Sequence, residues 1–274
     1  MNDFEEGMIK KVNQNINTIF IKGIMAGFFI AIASMLSIVV SSSITNYSIS
    51  KLLSALVFPI GLILVVLFKT ELFTGNCLVI IPLINKKIKI KSSLKLLITS
   101  YLGNLVGAIG TVILVSLTNH FDLFGSSILK IGLSKINLSI INAFALGILC
   151  NILVCSAVFL ASISKTLVEK VLCCIFPVFA FVLLGFEHSI ANMYYLFAAL
   201  FDNFNKISLI GILNNLCFVT LGNIVGGFLI GYLINKTKSS WFIQLLFCSY
   251  LFFQLVYFCQ LVLLFHIDQE FEFY

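Results

Sequence analysis

The chain has 274 residues, of which 60% are apolar and 10% charged, with a formal net charge of +6. A soluble domain of this size must show water far more charge, so the balance excludes one and makes lipid the main solvent. Base distributed between membrane-flanking segments reports orientation, and nucleic acid is discounted as a partner.

A bilayer core about 30 Å thick takes roughly 20 apolar residues per helix. In chain order, apolar runs predict spans over 23–41, 52–84, 96–118, 140–163, 171–200 and 209–234, and a seventh over 241–265. Residues 1–22 read as a retained cytoplasmic N-terminal segment, because the run from 23 is too long for a signal-peptide core and no small-residue cleavage site follows it. Residues 23–236 read as the transmembrane channel domain and 237–274 as a C-terminal extension. The extension's apolar run holds no charge, only Gln244, Gln254 and Gln260, which favours a span over a surface-lying helix. All 17 basic residues are lysines. With the N-terminus in the cytoplasm and each run crossing once, twelve lysines fall inside and four, Lys51, Lys130, Lys135 and Lys206, fall outside, as the positive-inside rule expects.

The eight cysteines lie in apolar runs without metal-ligand or redox spacing and read as small core residues. Histidines at 120, 188 and 266 are scattered, so neither a metal nor a cofactor is expected. A membrane-embedded enzyme is disfavoured for the same reason, with no H-E-x-x-H pair and no G-x-S-x-G elbow to support it.

Two pieces of sequence recur. Glu71-Leu-Phe-Thr-Gly-Asn76 is followed by Gly103-Asn-Leu-Val-Gly107, and Glu187-His-Ser-Ile-Ala-Asn192 by Gly222-Asn-Ile-Val-Gly226. Each is E-x4-N followed by GN-[LI]-VG, which predicts repeats over about 23–118 and 140–234. Three spans per repeat invert the second copy, so a substrate site is expected where the halves meet. The second and fifth helices read as broken, since Lys69, Thr70, Glu71, Thr74 and Asn76 interrupt one and Glu187, His188, Ser189 and Asn192 the other. Irregular backbone at that depth must be buried in protein or line a wet cavity. Glu71, Glu187, Asn76 and Asn192 are expected to pin these breaks, with the glutamates accepting backbone hydrogen bonds. A cation or ammonium channel, with Glu71 and Glu187 as ligands, is the rival reading.

At these residues the chain resembles the formate/nitrite transporter family. The run GFEHSIANM at 185–193 is similar to the family's signature and ELFTGN at 71–76 to its partner, with further matches at Gly61-Leu62, GNLVGA from 103, GILCNILVC at 147–155 and GNIVGG from 222. The resemblance implies an aquaporin-like, all-α homopentamer with one pore per protomer. It implies that a bacterial inner membrane holds the protein and that formate, nitrite or hydrosulfide is carried, with protons as partners, by either a passive channel or a proton-coupled transporter. By position, His188 resembles the central pore histidine and Thr74 its hydrogen-bonding threonine. Asn151 resembles a pore-side asparagine, Lys135 an outer-side lysine that draws anions in, and Phe58, Leu62, Leu72, Phe73 and Phe181 the apolar constrictions. Lys69 departs from the family's small residue there, and either raises anion occupancy or lowers the imidazole pKa by like-charge repulsion, or else pairs with Glu71 or a neighbouring protomer or snorkels to the inner surface.

Overall fold

The structure, a computed structural model, describes residues 2–237, all of whose regular elements are helical. The candidate seventh span lies outside the described residues. Helix α1 (Asn2–Val12) leads into a first repeat made of α2 (Ile16–Ser41), α3 (Tyr47–Val57), α4 (Ile60–Leu67), α5 (Phe73–Asn76), α6 (Ile80–Ile84) and α7 (Ile90–Ser116). Helix α8 (Phe121–Ile136) leads into the second, made of α9 (Ile140–Ile163), α10 (Leu167–Leu183), α11 (Ser189–Asp202) and α12 (Leu209–Thr237). Five segments, 16–41, 47–67, 90–116, 140–163 and 209–237, are long and apolar enough to cross a membrane, and the expected run 171–200 is instead split between α10 and α11.

Two boundaries differ from those read off the sequence. Helix α2 starts at Ile16, because Asn15 accepts a hydrogen bond from the Asn17 amide and caps it, so residue 22 falls inside a helix. The stretch between the third and fourth runs is the helix α8, which places Lys135 in its last turn. Both α1 and α8 bury a narrow stripe, Phe4, Met8 and Val12 in one and Phe124, Ile128 and Gly132 in the other, each at a spacing of four residues.

The repeats pack by the same device. A Cβ built on Gly107 would fall 2.1 Å from the Ile24 carbonyl oxygen, and one on Gly226 would fall 2.2 Å from that of Ile148. Only glycine admits such contact between α2 and α7, or between α9 and α12, and close backbone approach is how helices associate where lipid removes the hydrophobic drive. The copies stay in register: Gly23 and Gly147 are 124 residues apart (147 − 23), as are Lys11 and Lys135 (135 − 11).

Candidate functional site

Each repeat breaks its second helix in the same way. Helix α4 stops as Lys69 takes φ +51°, the Thr70 amide donating to the Val65 carbonyl and the Lys69 amide to that of Val66. Helix α10 stops as Gly185 takes φ +72°, the Phe186 amide donating to Phe181 and the Gly185 amide to Val182. These are paired Schellman ends, 116 residues apart (185 − 69), with lysine in one where the other has glycine. Past the turn the chain is extended and its amides borrow carbonyls from the helix opening the repeat: Glu71 donates to Lys22 and Glu187 to Leu146, both at 3.3 Å.

Asn104 and Asn223 then start the return half-helices. The Asn104 carboxamide accepts from the Phe73 amide at 2.9 Å and donates to the Gly23 and Glu71 carbonyls; that of Asn223 accepts from Ser189 at 2.9 Å and donates to Gly147 and Glu187. Both asparagines are fully buried, and each satisfies two backbone groups that the break leaves open while bridging to a carbonyl of the helix opening the repeat. The expectation that the glutamates accept backbone hydrogen bonds is therefore corrected, because this part belongs to the asparagines of the GN motifs.

The glutamate carboxylates take side-chain donors instead. Glu71 pairs with Lys11 at 2.9 Å and accepts from Gln14 at 2.9 Å, while Lys11 also reaches the Asn76 oxygen at 3.0 Å. Glu187 accepts from Lys135 through both oxygens at 2.9 Å, and from Asn192, whose carboxamide also donates to Asn215 at 2.8 Å. Lys11, Gln14 and Asn215 are partners that motif reading passed over.

The return half-helices meet nose to nose. His188 is the N-cap of α11 and Leu72 that of α5, again 116 residues apart (188 − 72). His188 Nδ1 accepts from the Ala191 amide at 3.2 Å, and Nε2 lies 3.0 Å from Thr74 Oγ1. A backbone amide can only donate, so Nδ1 carries no proton and the neutral ring donates from Nε2 to Thr74. Asn151, on α9, donates to the Thr74 carbonyl at 3.2 Å and to that of Asn223 at 2.6 Å, tying α5 to α12, and Cys155 also donates to the Thr74 carbonyl.

His188 is 3% exposed and lines two cavities. One is a vestibule of about 620 Å³ that reaches the surface by Tyr47 and Lys130 and descends past Lys51, Ser54, Lys135 and Glu187. The other is a void of about 10 Å³, at the limit of one water, walled by Leu62, Leu72, Phe58, Phe181 and other apolar side chains. Phe58 and Phe181 stand between them, ring centroids 5.7 Å apart and edge to face, with the His188 ring stacked on Phe181 at 5.8 Å. Of the expected pore residues, Thr74, Asn151, Phe73 and Lys69 line neither cavity. Phe73 packs edge-on against Tyr101 at 4.9 Å and lines neither cavity. Lys69 is exposed, lines neither cavity, and leaves Glu71 to Lys11.

Known proteins carry the same sequence pattern and the same shape. A family described as formate/nitrite transporter matches residues 1–236. A probable formate transporter of Methanothermobacter thermautotrophicus is 34% identical over 234 residues, 77% of this chain and 85% of its own. The formate channel FocA of Escherichia coli K12 is 31% identical over 257 residues, 85% of this chain and 89% of its own. A solved pentameric formate channel with formate bound superposes with a TM-score of 0.74 at 33% identity, covering 84% of this chain and 98% of that one.

Proposed function

The chain belongs to the formate/nitrite transporter family, and we propose that it carries small monovalent anions of weak acids, formate, nitrite or hydrosulfide, across a bacterial inner membrane with assistance from His188. The observation that carries the proposal is the placement of one imidazole, hydrogen-bonded to Thr74, at the point where an open vestibule gives way to an apolar void.

A bare anion loses its hydration at Phe58, Phe181, Leu62 and Leu72, at a cost that the neutral acid largely escapes. The Nε2–H of His188 and the hydroxyl of Thr74 are the polar groups at this level, and they receive the anion as it sheds water. To serve as an acid the ring must take a second proton at Nδ1, which displaces the Ala191 amide. Proton lending is thus coupled to loosening of the first turn of α11. Both carboxylates are occupied by lysines, so Glu71 and Glu187 do not stand as bare cation ligands. That favours anions over the cation-channel reading. Lys135 acts mainly by holding Glu187, Asn151 by fixing the Thr74 carbonyl, and Lys69 as part of a helix end.

The positive-inside rule puts the α1 face, with Lys10, Lys11, Lys22 and the lysines at 86–95, in the cytoplasm and the vestibule outside. The pentamer of the similar formate channel extends to this chain as a homopentamer, to be checked by native mass spectrometry in detergent. The deciding experiment is stopped-flow flux in proteoliposomes with formate, nitrite and hydrosulfide at two pH values, alongside reversal potentials in a salt gradient. Anion selectivity is expected, and cation selectivity overturns the proposal.

A further inference from the structure

Two lysines reach the lower vestibule, Lys51 and Lys135, and their ammonium groups differ in what they have left to offer. Lys135 Nζ donates to both oxygens of Glu187 at 2.9 Å and sits 5.3 Å from the centroid of the Tyr195 ring. Its charge is cancelled at contact distance. Lys51 Nζ makes a single long hydrogen bond, 3.3 Å, to the Val182 carbonyl, and among the described residues no carboxylate forms an ion pair with it. A carbonyl accepts a hydrogen bond but leaves the charge in place, and an ammonium has three donors. The other cation on the vestibule wall, Lys130, is exposed at the rim.

Three hydroxyls of the vestibule wall do not compete for an anion. Ser37 donates to the Ser34 carbonyl, Ser41 to that of Ser37 at 2.7 Å, and Ser54 to that of Ser37 at 2.9 Å. Their protons are committed to backbone. Lys51 stands seven residues before Phe58 on α3 (58 − 51), which is two helical turns, on one face and about 10 Å along the axis. A cation in no ion pair among the described residues therefore sits two turns above the aromatic constriction.

We propose that Lys51 forms an entry site for the permeant anion in the vestibule, ahead of the Phe58–Phe181 constriction, and that it recruits the anion in place of the neutralised Lys135. The inference rests on the anion-conducting reading above. Its competitor is purely structural: Val182 lies in the last turn of α10, so Lys51 also caps a helix C-terminus.

Single-channel recording of the full-length protein in symmetric sodium formate, at about 50 mM and about 1 M salt, separates the two, because charge recruitment is screened by salt and acts at one mouth only. For wild type, current carried by anions entering from the Lys51 mouth should exceed that entering from the other. In Lys51→Met the ratio of the two currents should fall about threefold or more at low salt and by less at high salt, and Lys51→Arg should restore it. Lys51→Gln can still donate to Val182 without charge, and should behave as Lys51→Met even if that variant assembles poorly. A ratio that Lys51→Gln leaves unchanged, or a loss equal in both directions, overturns the entry site while anion conduction stands. A wild type that passes no anion overturns both.

Discussion

Thr74 Oγ1 and His188 Nε2 lie 3.0 Å apart although 114 residues separate them in the chain, and each stands in the first turn, or at the cap, of a half-helix that begins where its repeat breaks. The pairing gives the imidazole one tautomer, because its other nitrogen caps α11. His188→Asn keeps a side-chain oxygen at an N-cap position where asparagine is favoured, so assembly should survive at a stability change of about 1 kcal/mol or less. The shorter side chain cannot reach Thr74. Formate flux measured in proteoliposomes over a pH series should then lose the wild-type pH dependence; a superimposable profile removes His188 from the mechanism.

The Lys135–Glu187 pair is nearly closed to solvent, with side chains 13% and 8% exposed. Removing one member of a buried pair leaves a charge without compensation and costs about 3 to 5 kcal/mol, with the lower end expected beside an open vestibule. Lys135→Met should lower the detergent melting temperature sharply, and Lys135→Met with Glu187→Gln should recover most of the loss. If the double variant is no more stable than the single, the lysine does not act through Glu187.

The N-terminal helix offers a pH test outside the membrane-spanning segments. Burial alone would raise the Glu5 carboxyl, but hydrogen bonds from Lys87, at 2.7 Å, and Asn85, at 2.9 Å, together with the charge of Lys87, hold it below the ordinary carboxylate value. A depressed carboxylate contributes stability that is complete above its unfolded value and disappears as pH falls through the folded one. Protection of α1 amides in hydrogen exchange should be constant near neutrality and fall only at acid pH, below the usual carboxylate range. Glu5→Gln should weaken protection at neutral pH and abolish that acid step.

The pairs Glu71 with Glu187 and Asn104 with Asn223 were legible because they recur as motifs, and the breaks because polar residues interrupt apolar runs at membrane depth. Lys11 was not, since no motif surrounds it. The signal lay in spacing: Lys11 precedes Gly23 by twelve residues (23 − 11), as Lys135 precedes Gly147 (147 − 135), so the repeat that places one lysine on its glutamate places the other. Helix α8 escaped because sixteen residues of mixed polarity fall short of a span. Phe73 was assigned by its position in the resemblance, and one aromatic among 28 phenylalanines finds another ring as readily as a pore.

Lys69 marks where the repeats differ at a position that backbone geometry constrains. Its φ of +51° lies in the left-handed region, which costs a residue with a Cβ about 1 to 2 kcal/mol, and the matching residue in the second repeat is Gly185 at +72°. Glycine removes that strain but raises the entropy of the unfolded chain by roughly 0.5 to 1 kcal/mol. Lys69→Gly should therefore stabilise the protein by up to about 1 kcal/mol, seen as a small rise in melting temperature, and Lys69→Val should destabilise it, since a β-branched residue tolerates positive φ worst. Lys69→Ala isolates the charge: it keeps a Cβ, and so the strain, while removing the ammonium. Anion flux should follow wild type in Lys69→Gly and Lys69→Ala alike, because the side chain is exposed and lines neither cavity. A fall in flux shared by both variants, with stability moving as expected, would instead assign the Lys69 charge to conduction.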